Sequence, residues 1–371
     1  MNEETLLYRI AFASVRGMGV DLATKLLDVV GSEQAFFALP ERELQSLTGS
    51  RHKMCERGYR DERLETARRE LEWVERNHIK VFYYTDDAYP TRLLHDASDA
   101  PILLYGAGDC DLNARHVVSI VGTRRSTAYG ARFVERFVED LAEQLDSLII
   151  VSGLAYGTDI NAHRAALKHG VPTVGVLACG LNKIYPAVHR REAREMAHHG
   201  GMVVSDYQSQ DQLHRGNFLA RNRIIAALAD CAVIIESADT GGSLVTASLA
   251  ASYSRDVFAV PGRVGDQYSM GCNKLIKSNR AAAITGADDL IKEMRWEPKA
   301  RAVATPTQGE LFPQLTAEEQ RVIDLLREQG ELHVNDIAAA MSLPIYRTLA
   351  VLVTLDTRGL LHTLPGSRYS L

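Results

Sequence analysis

The chain has 371 residues, of which 46% are hydrophobic and 24% charged, and its formal net charge is −5. This composition is typical of a globular protein of two or three domains, and it excludes disordered and fibrous proteins. The acidic balance excludes a histone-like DNA compactor but permits a local basic site for nucleic acid.

Features that would place the chain in a membrane or outside the cell are absent from the sequence. No apolar run is long enough to cross a bilayer, and the first residues, MNEETLLYRI, lack the basic start of a secretion signal. The five cysteines are scattered without a CxxC pair, which indicates reduced thiols and predicts neither a disulfide framework nor a metal site. We therefore expect a cytoplasmic protein with no metal.

The first segment, residues 1–75, predicts a helical domain. Its first two helices are joined by Arg16-Gly17-Met18-Gly19, and a Gly-x-Gly turn resembles a helix-hairpin-helix (SAM-like) domain, whose amides can hold a phosphate. A tight turn that needs glycine only for its backbone angles explains the same residues. Both interpretations stay open. The predicted helices are 5–15, 20–30 and 33–47.

Residues 76–297 alternate short β-branched runs with longer amphipathic stretches, of which 129–145 is the clearest helix. Strand–helix alternation predicts the α/β class, here a Rossmann-like parallel sheet with helices on both faces. Ligands of such sheets bind in the loops at the carboxyl ends of the strands. The predicted strands are 117–121, 148–151, 173–177, 202–205, 232–236, 257–260 and 282–285.

Residues 298–315 contain three prolines and no periodicity, which is typical of a linker. The order of elements predicted for residues 316–371 is that of a winged helix. Seven acidic and five basic residues lie in this segment, so we expect it to bind DNA poorly by itself. The predicted helices are 316–326, 334–341 and 346–358, and the predicted strands are 359–361 and 368–370.

The loop after the first predicted parallel strand, from Gly122 to Gly130, combines glycine, hydroxyl groups and two arginines at a helix start. Exposed amides, the helix dipole and a bidentate arginine suit such a loop to phosphate, although a solvated turn explains the same composition. No GxGxxG or GxxxxGK[ST] sequence is present, so no dinucleotide or other cofactor is predicted.

The second loop, from Ser152 to Asp159, opens a helix that carries His163. Asp159 and His163 are four residues apart and share a helix face, which invites an acid–base interpretation. No nucleophile or metal ligand has matching spacing. We therefore interpret them as a helix-start carboxylate and a hydrogen-bonded structural histidine.

The third segment, residues 214–225, places Arg215, Arg221 and Arg223 around Phe218. Cations that meet phosphates and a ring that stacks on a base are typical of single-strand binding. On a regular helix Arg221 and Arg223 point in roughly opposite directions. We expect one to reach solvent or ligand and the other to pair with a buried carboxylate, with Glu236 as the candidate.

The fourth loop, from Thr240 to Ala247, is a glycine-rich anion cradle at another helix start. It resembles the PGGxGTxxE motif of Rossmann-like hydrolases of nucleoside monophosphates. Ala247 and Ser248 stand where the catalytic carboxylates belong, so no catalytic residue is assigned and such an enzyme is the alternative interpretation. Four phosphate-suited loops along one sheet edge favour a polymer backbone over a single nucleotide.

Motifs across residues 80–295 are similar to those of the family of DNA-processing protein A, also called Smf. The matching series are Val121-Gly122-x-Arg124-x-Ser126-x-x-Tyr129-Gly130, Ser152-Gly153-x-Ala155-x-Gly157-x-Asp159, Phe218-x-x-Arg221-Asn222-Arg223, Gly242-Ser243-Leu244-x-Thr246-Ala247, Val260-Pro261-Gly262 and Gly271-x-Asn273-x-Leu275-Ile276. The resemblance implies a homodimeric, non-catalytic recombination mediator. Such a protein binds single-stranded DNA and loads RecA onto it in natural transformation.

The resemblance also implies which residues contact DNA. Carried over by motif, Arg124 and Arg215 are the principal phosphate contacts. Leu219, Asp206 and residues 278–280 depart from the usual pattern, which puts the surface around 278–280 in doubt. The other implied contacts are Gly122, Ser126, Ser152, Gly153, Phe218, Arg221, Asn222, Gly241, Gly242, Ser243, Asn273 and Lys274.

Overall fold

The computed structural model describes residues 2–49, 52–97, 99–299, 315–357, 360–364 and 366–371. The chain divides into two compact units, Met1–Arg301 and Ala302–Leu371. Residues 300–314, most of the predicted linker, lie outside the described residues.

The first unit opens with helices that pack against the sheet. Ile10, Phe12, Phe36 and Phe37 are buried in one hydrophobic cluster with residues of the sheet. Pro40 divides the predicted helix 33–47 in two, because proline has no N–H to donate and instead precedes the first turn of the second helix. The helices are α1 (Glu3–Ala13), α2 (Val20–Val30), α3 (Glu33–Ala38), α4 (Glu41–Thr48) and α5 (Arg57–Arg76).

The described residues form a nine-stranded sheet with the order β1-β2-β6-β5-β4-β3-β7-β8-β9. The predicted parallel strands are confirmed within one or two residues at each end. Two strands escaped prediction, and both run antiparallel at one edge, β1 against β2 and β2 against β6. The strands are β1 (Lys80–Tyr83), β2 (Leu103–Gly108), β3 (His116–Gly122), β4 (Leu148–Ser152), β5 (Thr173–Val176), β6 (Met202–Ser205), β7 (Cys231–Ile235), β8 (Asp256–Ala259) and β9 (Ala282–Ala283).

Helices cover both faces of the sheet. Buried residues of α7 and α8 pack in one cluster, and those of α10 and α11 pack in another, together with the N-terminal helices. The strand order reverses between β3 and β7, so the loops after these two strands lead to opposite faces and leave a crevice between them. The helices are α6 (Thr91–Asp96), α7 (Ala128–Gln144), α8 (Thr158–Lys168), α9 (Arg190–His198), α10 (Arg215–Leu228), α11 (Gly242–Ser252), α12 (Met270–Lys277) and α13 (Ala287–Glu293).

The second unit is a winged helix, as predicted. Thr316 and Glu319 form a capping box at the start of its first helix. Its strands pair in the order β10-β12-β11. Of the predicted strand 359–361, residue 359 lies outside the described residues, and Leu360 and Leu361 are not in a strand, which instead spans residues 362–364. The elements are α14 (Ala317–Gln329), β10 (Leu332–His333), α15 (Val334–Met341), α16 (Ile345–Thr357), β11 (His362–Leu364) and β12 (Arg368–Ser370).

Across the described part of the chain, no single helix has both the length and the apolar character needed to span a membrane. By length and composition alone, Val334–Met341 and Ile345–Asp356 would qualify together, as a pair bent by 109°.

Candidate nucleic-acid interface

The crevice between β3 and β7 contains a cavity of about 240 Å³. It lies at the carboxyl ends of the strands, where ligands of such sheets bind. Loops from separate parts of the chain and the first turns of α10 and α11 form its walls. Of the residues proposed from sequence, the structure brings eight together in its lining: Gly122, Arg124, Phe218, Arg221, Asn222, Gly241, Gly242 and Ser243.

Arg221 forms the floor of the cavity. Its side chain is buried, and Nη1 donates to the carbonyl oxygen of Gly153 at 2.6 Å and to that of Val176. A Cβ on Gly153 would lie 2.5 Å from this guanidinium, so only glycine lets the arginine approach the loop after β4. Arg221 therefore ties the ends of β4 and β5 together beneath the cavity.

Asp159 is the carboxylate beside this guanidinium, and it is also buried in the cavity wall. Burial raises its pKa, while the charges of Arg221 and Arg124 and the N–H groups of Ala155 and Gly153 act in the opposite direction. The charge of Arg221 thus opposes the effect of burial on the pKa of Asp159.

The expected pairing of Glu236 with an arginine of α10 is wrong. Glu236 accepts hydrogen bonds from Ser126 Oγ at 3.1 Å, from the Thr127 N–H at 2.8 Å and from the Thr127 hydroxyl. Its backbone φ is 57°. The carboxylate therefore holds the loop after β3 in place, and the Ser126 hydroxyl is one of the groups that it binds.

Arg223, on the other side of α10, pairs instead with Asp206 and donates to the Asp99 carbonyl at 2.6 Å. The two arginines do diverge from the helix as expected, but neither is free: Arg221 is buried on backbone carbonyls and Arg223 is held in an ion pair.

The exposed Arg124 lies over an aromatic ring at the mouth of the cavity, and the exposed Arg215 lies outside the lining, on the helix that carries this ring. The guanidinium carbon of Arg124 lies 5.7 Å from the centroid of the Phe218 ring. Arg215 precedes Phe218 by three residues on α10, so the two side chains are neighbours on the helix surface. No carboxylate of the described residues pairs with either arginine. Both charges therefore face solvent and are available to a phosphate.

Tyr185 is a residue that the sequence analysis missed. Its exposed ring lies 5.3 Å from that of Phe218, between centroids. It belongs to the loop between β5 and α9, which contains no arginine and a single glycine, Gly180, and so lacks the composition that marked the other loops. Nothing in its local pattern distinguishes it, and only the fold places it beside Phe218.

The start of α11 offers unfilled hydrogen-bond donors. Gly241 precedes this helix and supplies no side-chain cap, whereas Thr127 Oγ1 caps α7 by accepting from the N–H groups of Tyr129 and Gly130. Gly241 has no room for a side chain, because a Cβ would lie 2.4 Å from Ser237 Oγ. The first turn of α11 therefore presents main-chain N–H groups, with the positive end of the helix dipole, to the cavity.

Other residues named from sequence lie outside the cavity lining. Ser152 Oγ is buried and donates to the Ile120 carbonyl at 2.6 Å. Asn273 bonds to both main-chain groups of Gly262, at 3.2 and 3.0 Å. Lys274 pairs with Asp239 at 2.8 Å. The structure thus gives each of these three side chains a partner within the protein.

His163 is the hydrogen-bonded structural histidine that the sequence predicted. Its Nε2 accepts from the Leu154 N–H at 3.3 Å, and its Nδ1 lies 2.8 Å from Thr173 Oγ1. Complete burial lowers the pKa of His163 to about 3. The imidazole is therefore neutral near pH 7 and holds the loop after β4.

Comparison with known protein families gives two matches. The family described as DNA recombination-mediator protein A matches residues 80–295, and the DprA winged helix domain matches residues 304–367.

Relatives match over much of the chain. The DNA processing protein DprA of Streptococcus pneumoniae is 38% identical over 215 residues, which cover 58% of this chain and 74% of that protein. The protein Smf of Escherichia coli is 31% identical over 306 residues, which cover 79% of this chain and 78% of that protein.

Two solved structures extend the likeness to three dimensions. The X-ray structure of DprA from Streptococcus pneumoniae superposes with a TM-score of 0.64 at 32% identity, covering 79% of this chain and 98% of that one. A structure of DNA processing protein A from Helicobacter pylori, described for its mode of single-stranded DNA binding, gives 0.52 at 31% identity, covering 59% of this chain and 97% of that one.

Proposed function

The chain belongs to the DNA recombination-mediator protein A family of DNA-processing proteins, and from this premise we propose that it binds single-stranded DNA along the crevice between β3 and β7. The observation that carries the proposal is a pair of exposed, unpaired arginines: Arg124 lies over the Phe218 ring, and Arg215 is three residues before Phe218 on α10. The Helicobacter pylori relative binds single-stranded DNA, and cations with a stacking ring are the elements such binding requires.

Each group at the crevice has a part in this proposal. Arg124 and Arg215 contact phosphates, Phe218 and Tyr185 stack on bases, and the N–H groups of the first turn of α11 donate hydrogen bonds to a further phosphate. Arg221 supports the floor of the cavity through its hydrogen bond to the Gly153 carbonyl, and its charge favours the ionised form of Asp159. The buried arginine therefore positions the loops, and the exposed ones bind.

The alternative of a nucleoside-monophosphate hydrolase has little support in the cavity. Ala247 is buried where a catalytic carboxylate would stand, and Ser248 Oγ donates to the Leu244 carbonyl at 2.9 Å. Among the described lining residues the one carboxylate is Asp159, beside the guanidinium of Arg221. We infer a binding protein without catalytic activity.

The test is fluorescence anisotropy with single-stranded and duplex oligonucleotides at two salt concentrations. We expect preference for the single strand, and Arg124→Ala and Arg215→Ala should each lower the salt slope by up to about one. Arg191→Ala is the matched control, because this exposed arginine already pairs with Glu195 on α9. Unchanged affinity and slope in both crevice variants would overturn the proposal.

Base identity gives an independent check. Stacking and phosphate contacts accept any base, so affinities for different homopolymers should differ little. Strong preference for one short sequence would contradict this use of the crevice.

We also propose the role that the family name implies: a cytoplasmic homodimer that presents single-stranded DNA to RecA. Light scattering should give twice the chain mass of 41.0 kDa. The protein should shorten the lag before RecA filaments form on single-stranded DNA, and Arg124→Ala should restore the lag. A monomeric mass would contradict the proposed homodimer, and an unchanged lag would contradict the proposed presentation of DNA to RecA.

A further inference from the structure

A second cleft, of about 910 Å³, lies on the other side of the loop that follows β3. Tyr129 and Arg132 from the start of α7 form one wall. Arg263, Asp266 and Tyr268, from the loop after β8, are among the residues that form the other. The residues proposed from sequence as DNA contacts do not line this cleft.

The loop after β8 is fixed in place by hydrogen bonds. Asn273 holds both main-chain groups of Gly262, and the Tyr129 hydroxyl donates to the Pro261 carbonyl at 3.1 Å. The Ser237 N–H donates to the Tyr268 carbonyl at 2.6 Å. Because the loop is anchored at these points, Arg263 is presented from a defined wall.

The charges of the second cleft favour an anion. Arg132 and Arg263 are exposed, and neither has a carboxylate partner among the described residues. Glu236 also lines the cleft and keeps its negative charge, but its side chain is buried and bonded to Ser126 and Thr127, so this charge is not among the exposed ones. Asp266 is then the remaining exposed carboxylate, against two guanidiniums.

The cleft and the first cavity are neighbours, because consecutive parts of the chain line both of them. Glu236 lines the cleft, and the next residue, Ser237, lines the cavity. In the loop after β3, likewise, Arg124 lines the cavity and Thr127 lines the cleft. A polymer that leaves the cavity over this loop therefore meets the second pair of arginines.

We propose that the second cleft is a further subsite for the same single strand, in which Arg132 and Arg263 contact phosphates of the following nucleotides. Tyr129 and Tyr268 supply rings on which a base can stack. This subsite rests on the function proposed for the first cavity and extends the strand toward β8.

The test compares oligothymidines of two lengths on the full chain, one of about four nucleotides and one of about 16. Arg132→Ala combined with Arg263→Ala should weaken binding of the long strand about tenfold and lower its salt slope by up to about two. The short strand, which fills the first cavity, should bind as before. Arg132→Lys with Arg263→Lys should keep most of the long-strand affinity, since the charges remain.

Arg136→Ala is the matched control, one turn along α7 from Arg132, because Arg136 pairs with Asp140 at 3.6 Å. The subsite is overturned if the double alanine variant binds the long strand normally, if it loses both lengths equally, or if Arg136→Ala has the same effect. Arg124→Ala separates the two proposals, because it should weaken both lengths. If Arg124→Ala has no effect, the first cavity itself fails as the DNA site.

Discussion

The crevice and the third helix of the winged helix are both exposed surfaces with an aromatic residue near a helix start, but their surroundings differ. At the crevice, the unpaired Arg124 lies over the Phe218 ring, and the unpaired Arg215 is three residues before Phe218 on α10. On α16, Tyr346 is 76% exposed beside the exposed apolar side chains of Ile345, Leu349 and Val353. One surface is cationic and the other is apolar.

The arginines of the winged helix are mostly paired. Arg347 lies 2.8 Å from Glu318, Arg327 lies 3.7 Å from Asp324, and Arg368 pairs with Glu331. A winged helix that binds duplex DNA usually does so with a basic third helix. Affinity for phosphate depends on charge that is free to neutralise it, and Arg124 and Arg215 supply such charge at the crevice.

The largest expected effect separates the buried cation of the crevice from its exposed ones. Arg221→Ala leaves the buried carbonyls of Gly153 and Val176 without their donor, which should cost about 3 kcal/mol of unfolding free energy. Arg215→Ala, on the same helix, should change it by no more than about 0.5 kcal/mol. Urea unfolding followed by circular dichroism measures both. Similar losses in the two variants would mean that the distinction between positioning and binding arginines is wrong.

The next largest effect is the difference between the two units in affinity for single-stranded DNA. Residues 1–299 should keep the single-strand affinity of the full chain within about threefold, and residues 315–371 alone should bind at least about 100-fold more weakly. Lys299 is retained because its N–H donates to the Gln144 carbonyl at 2.6 Å. If residues 315–371 account for the affinity while residues 1–299 stay folded, the assignment of DNA binding to the crevice fails.

A smaller effect is expected on the free energy of unfolding as the pH falls. The pKa of His163 is about 3 in the folded protein and about 6.5 when unfolded. As the pH falls, His163 is protonated in the unfolded state before it is protonated in the folded state. The contribution of neutral His163 to the free energy of unfolding is therefore complete above about pH 6.5, and below that pH it declines by up to about 1.4 kcal/mol per pH unit. Urea unfolding of residues 1–299 at pH 7, 6 and 5 should show this slope. His163→Gln should flatten it, and an equal slope in that variant would assign the acid sensitivity to other groups.

The smallest effect lies on α16. Tyr346→Ser with Leu349→Ser removes exposed apolar surface without changing charge, so affinity for single-stranded DNA should stay within about twofold. Anisotropy on the full chain measures this, with Arg124→Ala as the positive control. A tenfold loss would place part of the DNA site on the winged helix.

Much of the fold follows from local pattern, and its exceptions have physical causes. The central parallel strands, β3 to β7, are buried on both faces and therefore form continuous apolar runs that stand out in the sequence. β2 does not stand out, because Gly106 and Gly108 interrupt it. Helix α5 carries many charges and even buries Arg60 and Glu70, so its apolar periodicity is weak.

The sequence predicted which loops form the candidate site, but it did not predict the partner of each side chain in them. Glycines and arginines at strand ends mark Arg124 and the start of α11, which the structure brings to one cavity. The pairing of Glu236 was mispredicted, because its positive φ turns the carboxylate toward Thr127, and a backbone angle leaves no trace in composition. Tyr185 could not be found, since its contact with Phe218 joins residues distant in sequence.

The hydrogen bonds of Glu236 have a consequence for the speed of binding. Since Ser126 and Thr127 already hold the loop after β3, a DNA strand arrives at a shaped surface and little conformational entropy is lost in ordering that loop. Capture is then limited by encounter, which the exposed guanidiniums accelerate by attraction over a distance. We expect added salt to slow association steeply, with no lag from a rearrangement of the protein.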